Sequence, residues 1–92
     1  MRLDMFLKIS RLIEQRSAAK DAVEDGLVTH NGVPAKAGRE VKVGDRIGIT
    51  SERRRLEVEV LETPGGNVPK ARAATLFRVV ASEPLDEDAA WR

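Results

Sequence analysis

The sequence predicts an α+β fold in which two packed N-terminal helices lie on a small, mostly antiparallel β-sheet. Three observations support this. Apolar residues recur at three- and four-residue steps from Leu3 to Ile13, the period of one helix face. Small residues (Ala18, Ala19, Ala22) then lie between Ser17 and Gly26, residue types that favour a helix start and a helix stop. From Leu27 the pattern turns to strands, and Asn31-Gly32 interrupts it, the strongest short signal for a β-hairpin.

The first helix is expected over 3–15, with Leu3, Phe6, Leu7, Ile9, Leu12 and Ile13 on its apolar stripe and Asp4, Lys8, Arg11 and Gln15 opposite. Lys8 and Arg11, three residues apart, would share a face. Asp4 would favour the helix dipole and pair with a nearby cation. The second helix is expected to take Ser17 as N-cap, with Lys20 in its first turn. A cation there opposes the dipole unless an anion sits beside it.

Strands follow over 27–30 and 33–36, with Pro34 holding the return segment at an edge. Val41 and Val43 lead into a Gly44-Asp45 turn, a strand over 46–49 and an alternating strand over 56–61. Residues 63–69 read as a loop, 70–76 as one or two helical turns, and 77–80 as a closing strand. The organisation expected is a domain over 1–62, an extension over 63–82 packing on or beside it, and a flexible acidic tail over 83–92.

With 92 residues, 41% hydrophobic and 34% charged, the chain suits one soluble domain. Aromatics amount to 3%, namely Phe6, Phe77 and Trp91, so base stacking on an aromatic platform is not the expected mode of recognition. There is no Cys, which excludes disulfides and thiolate chemistry. His30 is the only His and reads as a surface strand residue, so no metal site is expected. No run of about 18 apolar residues is present, and the N-terminus lacks the long apolar core of a signal peptide. A cytoplasmic location is expected.

Catalysis has little to rest on. No Ser sits in a Gly-x-Ser-x-Gly turn, and His30 has no evident nucleophile partner. Asp4 and Glu14 fall on roughly opposite helix faces, and Gly38, Gly44 and Gly48 match no phosphate-binding loop. Neither a catalytic residue nor a cofactor is expected. The net charge of +1 is uneven: residues 83–92 hold four acids and one base, leaving the rest at +4. A mildly basic body fits an anionic partner.

Arg2, Lys8, Arg11, Arg16 and Lys20 gather within the first twenty residues. Guanidinium groups match phosphate through two parallel hydrogen bonds, and Ser17 with the N–H groups at the second helix start would add an anion-receiving end. The same residues also fit a solvated face held by pairs such as Lys20–Glu24.

Arg2-Leu3-Asp4-x-Phe6-Leu7, Arg11-Leu12, Arg16-Ser17-x-Ala19, Gly26-Leu27-Val28-x-x-Asn31-Gly32, Lys36 and Val43-Gly44-Asp45-x-Ile47 resemble, in order and spacing, the RNA-binding domain first described in ribosomal small-subunit protein four, the S4 domain. The resemblance covers about residues 2–50. It implies an αL-type motif whose helical pair grips structured RNA by backbone and shape. It carries RNA contacts over to Arg2, Lys8, Arg11, Arg16, Ser17, Lys20 and Lys36. Among free-standing members, the short RqcP-like quality-control family is similar in length. The Hsp-fifteen-like heat-shock family is longer and ends in a basic extension, whereas this chain ends acidic. The RqcP-like resemblance implies binding to rRNA and tRNA on a large ribosomal subunit obstructed by peptidyl-tRNA, beside an RqcH-type factor, without a membrane and as a monomer.

Secondary RNA contacts are expected at Asn31, Arg53, Arg54, Arg55, Lys70 and Arg72. The alternative readings are heat-shock recycling of large subunits carrying nascent chains, and a protein–protein adaptor with a basic face. Reading of duplex DNA is disfavoured, because Ala18 and Ala19 offer nothing to a base edge.

Overall fold

The computed structural model describes residues 1–13, 15–51, 54–65 and 68–84, with only the backbone described at Arg16. The expectations for Arg53, Trp91 and the acidic tail beyond Pro84 lie outside the described residues. The elements run α1 (Leu3–Ile9), α2 (Arg16–Glu24), β1 (Val28–His30), β2 (Val33–Pro34), β3 (Arg46–Thr50), β4 (Arg54–Val60), α3 (Lys70–Ala73) and β5 (Phe77–Pro84). One antiparallel sheet, in the order β2-β1-β3-β4-β5, carries all five strands.

The first helix is shorter than its apolar stripe suggests. It ends at Ile9, and Arg11 turns the chain in the left-handed region at φ +65°. The Ser10 hydroxyl donates to the Leu7 carbonyl at 3.2 Å, and the Arg11 N–H returns to the Lys8 carbonyl at 3.1 Å. Such local bonds offer the backbone an alternative to the helical ladder. Leu12 and Ile13 still reach the core, as partly buried residues, from non-helical backbone. Their burial sustains the helical spacing past the end of the helix.

Two expectations for α2 are corrected. The N-cap is Gln15, with no side-chain capping bond, and Ser17 lies inside the first turn. Because the helix starts at Arg16, the first-turn cation is Arg16, and Lys20 falls beyond that turn. The far end is as expected: Gly26 sits at φ +77°. Its N–H meets the Val23 carbonyl at 3.1 Å and the Leu27 N–H meets that of Ala22 at 2.9 Å, the paired bonds of a Schellman stop.

Asn31 and Gly32, at φ +54° and +87°, form the expected tight turn, and β2 is an edge strand. His30 overturns its expectation, being buried at 4% exposure rather than on the surface. Its Nε2 lies 2.7 Å from Asp45 Oδ2. Asp45 also accepts from the Lys42 N–H at 3.0 Å and the Asn31 side-chain amide at 3.4 Å, and Asn31 Oδ1 accepts from the Arg46 N–H at 2.8 Å. These bonds fasten the hairpin to the start of β3. Burial pushes the Asp45 carboxyl up, but the bonds from His30, Lys42 and Asn31 outweigh it and hold the pKa below its ordinary value of 3.8.

Leu3, Phe6 and Leu7 of α1, Ala19 and Val23 of α2, and Val28, Ile47, Val58 and Val60 of the sheet form one core with Val41 and Leu76. Burying each large apolar side chain contributes roughly 1.5–3 kcal/mol. The segment before α1 is laced to residues 37–41: the Leu3 N–H donates to the Arg39 carbonyl at 2.8 Å, that of Asp4 to Ala37 at 3.2 Å, and that of Val41 to Met1 at 2.8 Å. The closing strand, expected over 77–80, runs on to Pro84, because β4 offers it a partner along its full length, from Val60 opposite Phe77 to Arg54 opposite Pro84.

Candidate nucleic-acid interface

Arg2 is extended at φ −72° and ψ 147°, immediately before α1. Its side chain is 57% exposed and its Nε donates to the buried Asp4 carboxylate at 3.3 Å. Asp4 also accepts from the Met5 N–H at 2.8 Å, so it serves the helix start as expected. The Arg2 guanidinium lies against Gly38, about 3.7 Å from where a Cβ would stand. The lacing of residues 1–4 to 37–41 therefore sets Arg2 beside the loop that carries the exposed Lys36 and Arg39. Sequence reasoning passed over Arg39. Only its charge signalled it, because the loop path that places it is not periodic.

At the other end of α1, Lys8 is half-buried in the last turn, where its charge suits the dipole. Lys8 and Arg11 were expected together through helical spacing; the structure unites them through the left-handed turn. With Ile9 and Val68 they line a cavity of about 310 Å³. Val68 comes from the loop before α3, and nothing in its spacing marked it. Along α2, Ser17 and Lys20 are exposed and Arg16 opens the helix.

The cations differ in whether an acidic partner already holds them. Among the described residues, Lys8, Arg11, Lys20, Lys36 and Arg39 form no ion pair. On the sheet side Arg46 meets Glu57 at 3.4 Å, Arg72 meets Glu62 at 3.4 Å, and Arg78 pairs with Glu59. That bond holds the Glu59 carboxyl below its ordinary pKa of 4.5. Arg54 donates to the Ser82 hydroxyl at 2.5 Å. Of the secondary candidates, Asn31, Arg54 and Arg72 thus have intramolecular partners, while Arg55 and Lys70 are exposed without a side-chain partner among the described residues. Lys8, Arg11, Lys20, Lys36 and Arg39 can therefore meet phosphate without first breaking an ion pair to a described residue.

No group of three His, Cys, Asp or Glu suited to a metal occurs among the described residues. None of their helices is long and apolar enough to cross a membrane.

Comparison with known proteins shows what the chain is similar to. The family model described as the S4 domain matches residues 1–47, covering α1, α2 and the first hairpin. The chain is 44% identical over 87 residues to an RQC P-site tRNA stabilizing factor of Halalkalibacterium halodurans, covering 95% of this chain and 98% of that one. It is 38% identical over 87 residues to the protein of the same name in Bacillus subtilis, covering 95% and 100% respectively. A trimeric structure of Heat Shock Protein 15 from Vibrio cholerae superposes with a TM-score of 0.80 at 28% identity, covering 88% of this chain and 82% of that one.

Proposed function

The chain belongs to the S4 domain family, among the RQC P-site tRNA stabilizing factors, and from that membership we propose a non-catalytic RNA-binding factor that acts on large ribosomal subunits obstructed by peptidyl-tRNA. It binds large-subunit rRNA and the tRNA in the P site, and holds that tRNA in place during ribosome-associated quality control. It works in the cytoplasm as a monomer beside an RqcH-type factor. Residues 1–62 serve as the RNA-binding domain and 63–82 as an extension packed on it, followed by the acidic tail.

The observation that supports this most is that Lys8, Arg11, Lys20, Lys36 and Arg39 form no ion pair among the described residues, whereas Arg46, Arg72 and Arg78 are already bonded to glutamates. The contact is electrostatic and shape-based: Arg2, Lys8, Arg11, Arg16, Ser17, Lys20 and Lys36 meet phosphates and ribose. No proton transfer is required of any of them.

Purified protein titrated onto large subunits with and without P-site peptidyl-tRNA tests the reading. Tighter binding to the tRNA-bearing subunit is expected, and equal binding to both would overturn the tRNA role. The likeness to Heat Shock Protein 15 favours, as a second reading, recycling of subunits that carry nascent chains. Adding the RqcH-type factor separates the two: joint retention of the tRNA supports quality control, whereas indifference to that factor supports recycling. An association with subunits that survives nuclease digestion would instead mark a protein–protein adaptor.

A further inference from the structure

We propose that the cavity between Lys8, Ile9, Arg11 and Val68 receives one unpaired nucleotide of the bound RNA, its phosphate between the two cations and its base against Val68. The proposal rests on the RNA-binding reading and adds to it a subsite, a substrate feature and a contribution from the extension.

Two cations with no acidic partner among the described residues line one cavity. Two like charges brought together in this way favour an anion between them. Val68, half-buried, supplies an apolar surface beside that charge, with the buried Ile9 beneath it, and a nucleotide presents the same pairing of anion and flat apolar base. The volume, about 310 Å³, lies at the small end of ligand sites, which run from about 300 to 1,000 Å³.

Arg11 is held at φ +65°, a conformation that costs a non-glycine residue energy and that collects at functional sites. Here it turns the side chain off the end of α1 and into the cavity wall beside Lys8. Val68 lies beyond residues 1–47, the part matched by the family model, so the extension completes the pocket. A base inside an A-form stack cannot enter such a cavity, whereas a bulged one is already free to do so.

Two RNA hairpins that differ by a single bulged nucleotide test the proposal by fluorescence anisotropy. The wild-type protein should bind the bulged hairpin about fivefold more tightly, the low end for burying one base. Val68→Asn should bring the two affinities together without changing that for the paired hairpin; because Val68 packs against the core, binding is measured below the melt of each variant. If Val68→Asn does not fold, Val68→Thr, close in shape but polar, should narrow the ratio in the same direction. AMP alone should not saturate the protein at about 1 mM, because most of the affinity comes from the rest of the RNA backbone. Equal wild-type affinity for the two hairpins, or tight binding of AMP alone, would overturn the pocket while leaving RNA binding intact. Failure to bind either hairpin would overturn the RNA reading itself.

Discussion

Replacing Arg11 with Gly should make the protein more stable and worse at its task. The left-handed backbone at φ +65° costs an L-residue about 1–2 kcal/mol, and Gly removes that cost. Gly also loosens the unfolded chain, which takes back about 0.4–1 kcal/mol. Because Arg11 is exposed, little packing is lost, and the net gain is about 0.5–1 kcal/mol. For a domain of this size that raises Tm by roughly 2–8 °C. The same change removes one phosphate-binding charge, so the slope of log K against log salt should flatten by about 0.7–0.9. At about 0.15 M salt that corresponds to a roughly fivefold loss of RNA affinity. Calorimetric melting and a salt titration of RNA binding measure both effects. Arg11→Ala is the control, since it loses the charge but keeps the strained backbone, so it should match Arg11→Gly in affinity without the gain in Tm. A fall in Tm for Arg11→Gly would refute the strain, and unchanged affinity would refute the contact.

Other expectations follow from the same geometry. Phe6 is fully buried at 0% exposure, so Phe6→Ala should cost about 3–5 kcal/mol, visible as a collapse of the cooperative melt near room temperature. The Asp45 carboxyl has a folded pKa below 3.8, so its stabilising bonds are fully present above that value and are lost as pH falls through the lowered one. Asp45→Asn should therefore weaken the fold at neutral pH and flatten the acid limb of a stability–pH curve; an unchanged acid limb would contradict the network. Lys8→Gln with Lys20→Gln should lower the salt slope of RNA binding by about 1.4–1.8. Arg46→Gln with Arg78→Gln should leave that slope nearly unchanged, because those arginines are paired with Glu57 and Glu59.

Much of the fold was legible in the sequence because it rests on local chemistry. The Asn31-Gly32 turn, the Gly26 stop and the edge position of Pro34 each depend on one or two residues, and each is found where it was expected. The end of α1 was not legible. Leu12 and Ile13 remain apolar because they face the core, so periodicity alone cannot tell a continuing helix from a left-handed turn at Arg11. The His30–Asp45 bond joins residues fifteen apart, and its geometry exists only once β1 and β3 pair. The cations of the candidate interface could be named from the sequence as a set. Their division into paired and unpaired depends on strand register, which sets Arg78 opposite Glu59 and Arg46 beside Glu57, and the placing of Arg39 and Val68 beside them depends on the loops that carry those two residues. Those loops follow no period.

The most direct test of the central claim is sedimentation of tagged protein from translating cells through a sucrose gradient, with each fraction probed for peptidyl-tRNA. Co-migration with free large subunits enriched in peptidyl-tRNA is the predicted result. Migration with intact ribosomes, or only with soluble RNA at the top of the gradient, would contradict it.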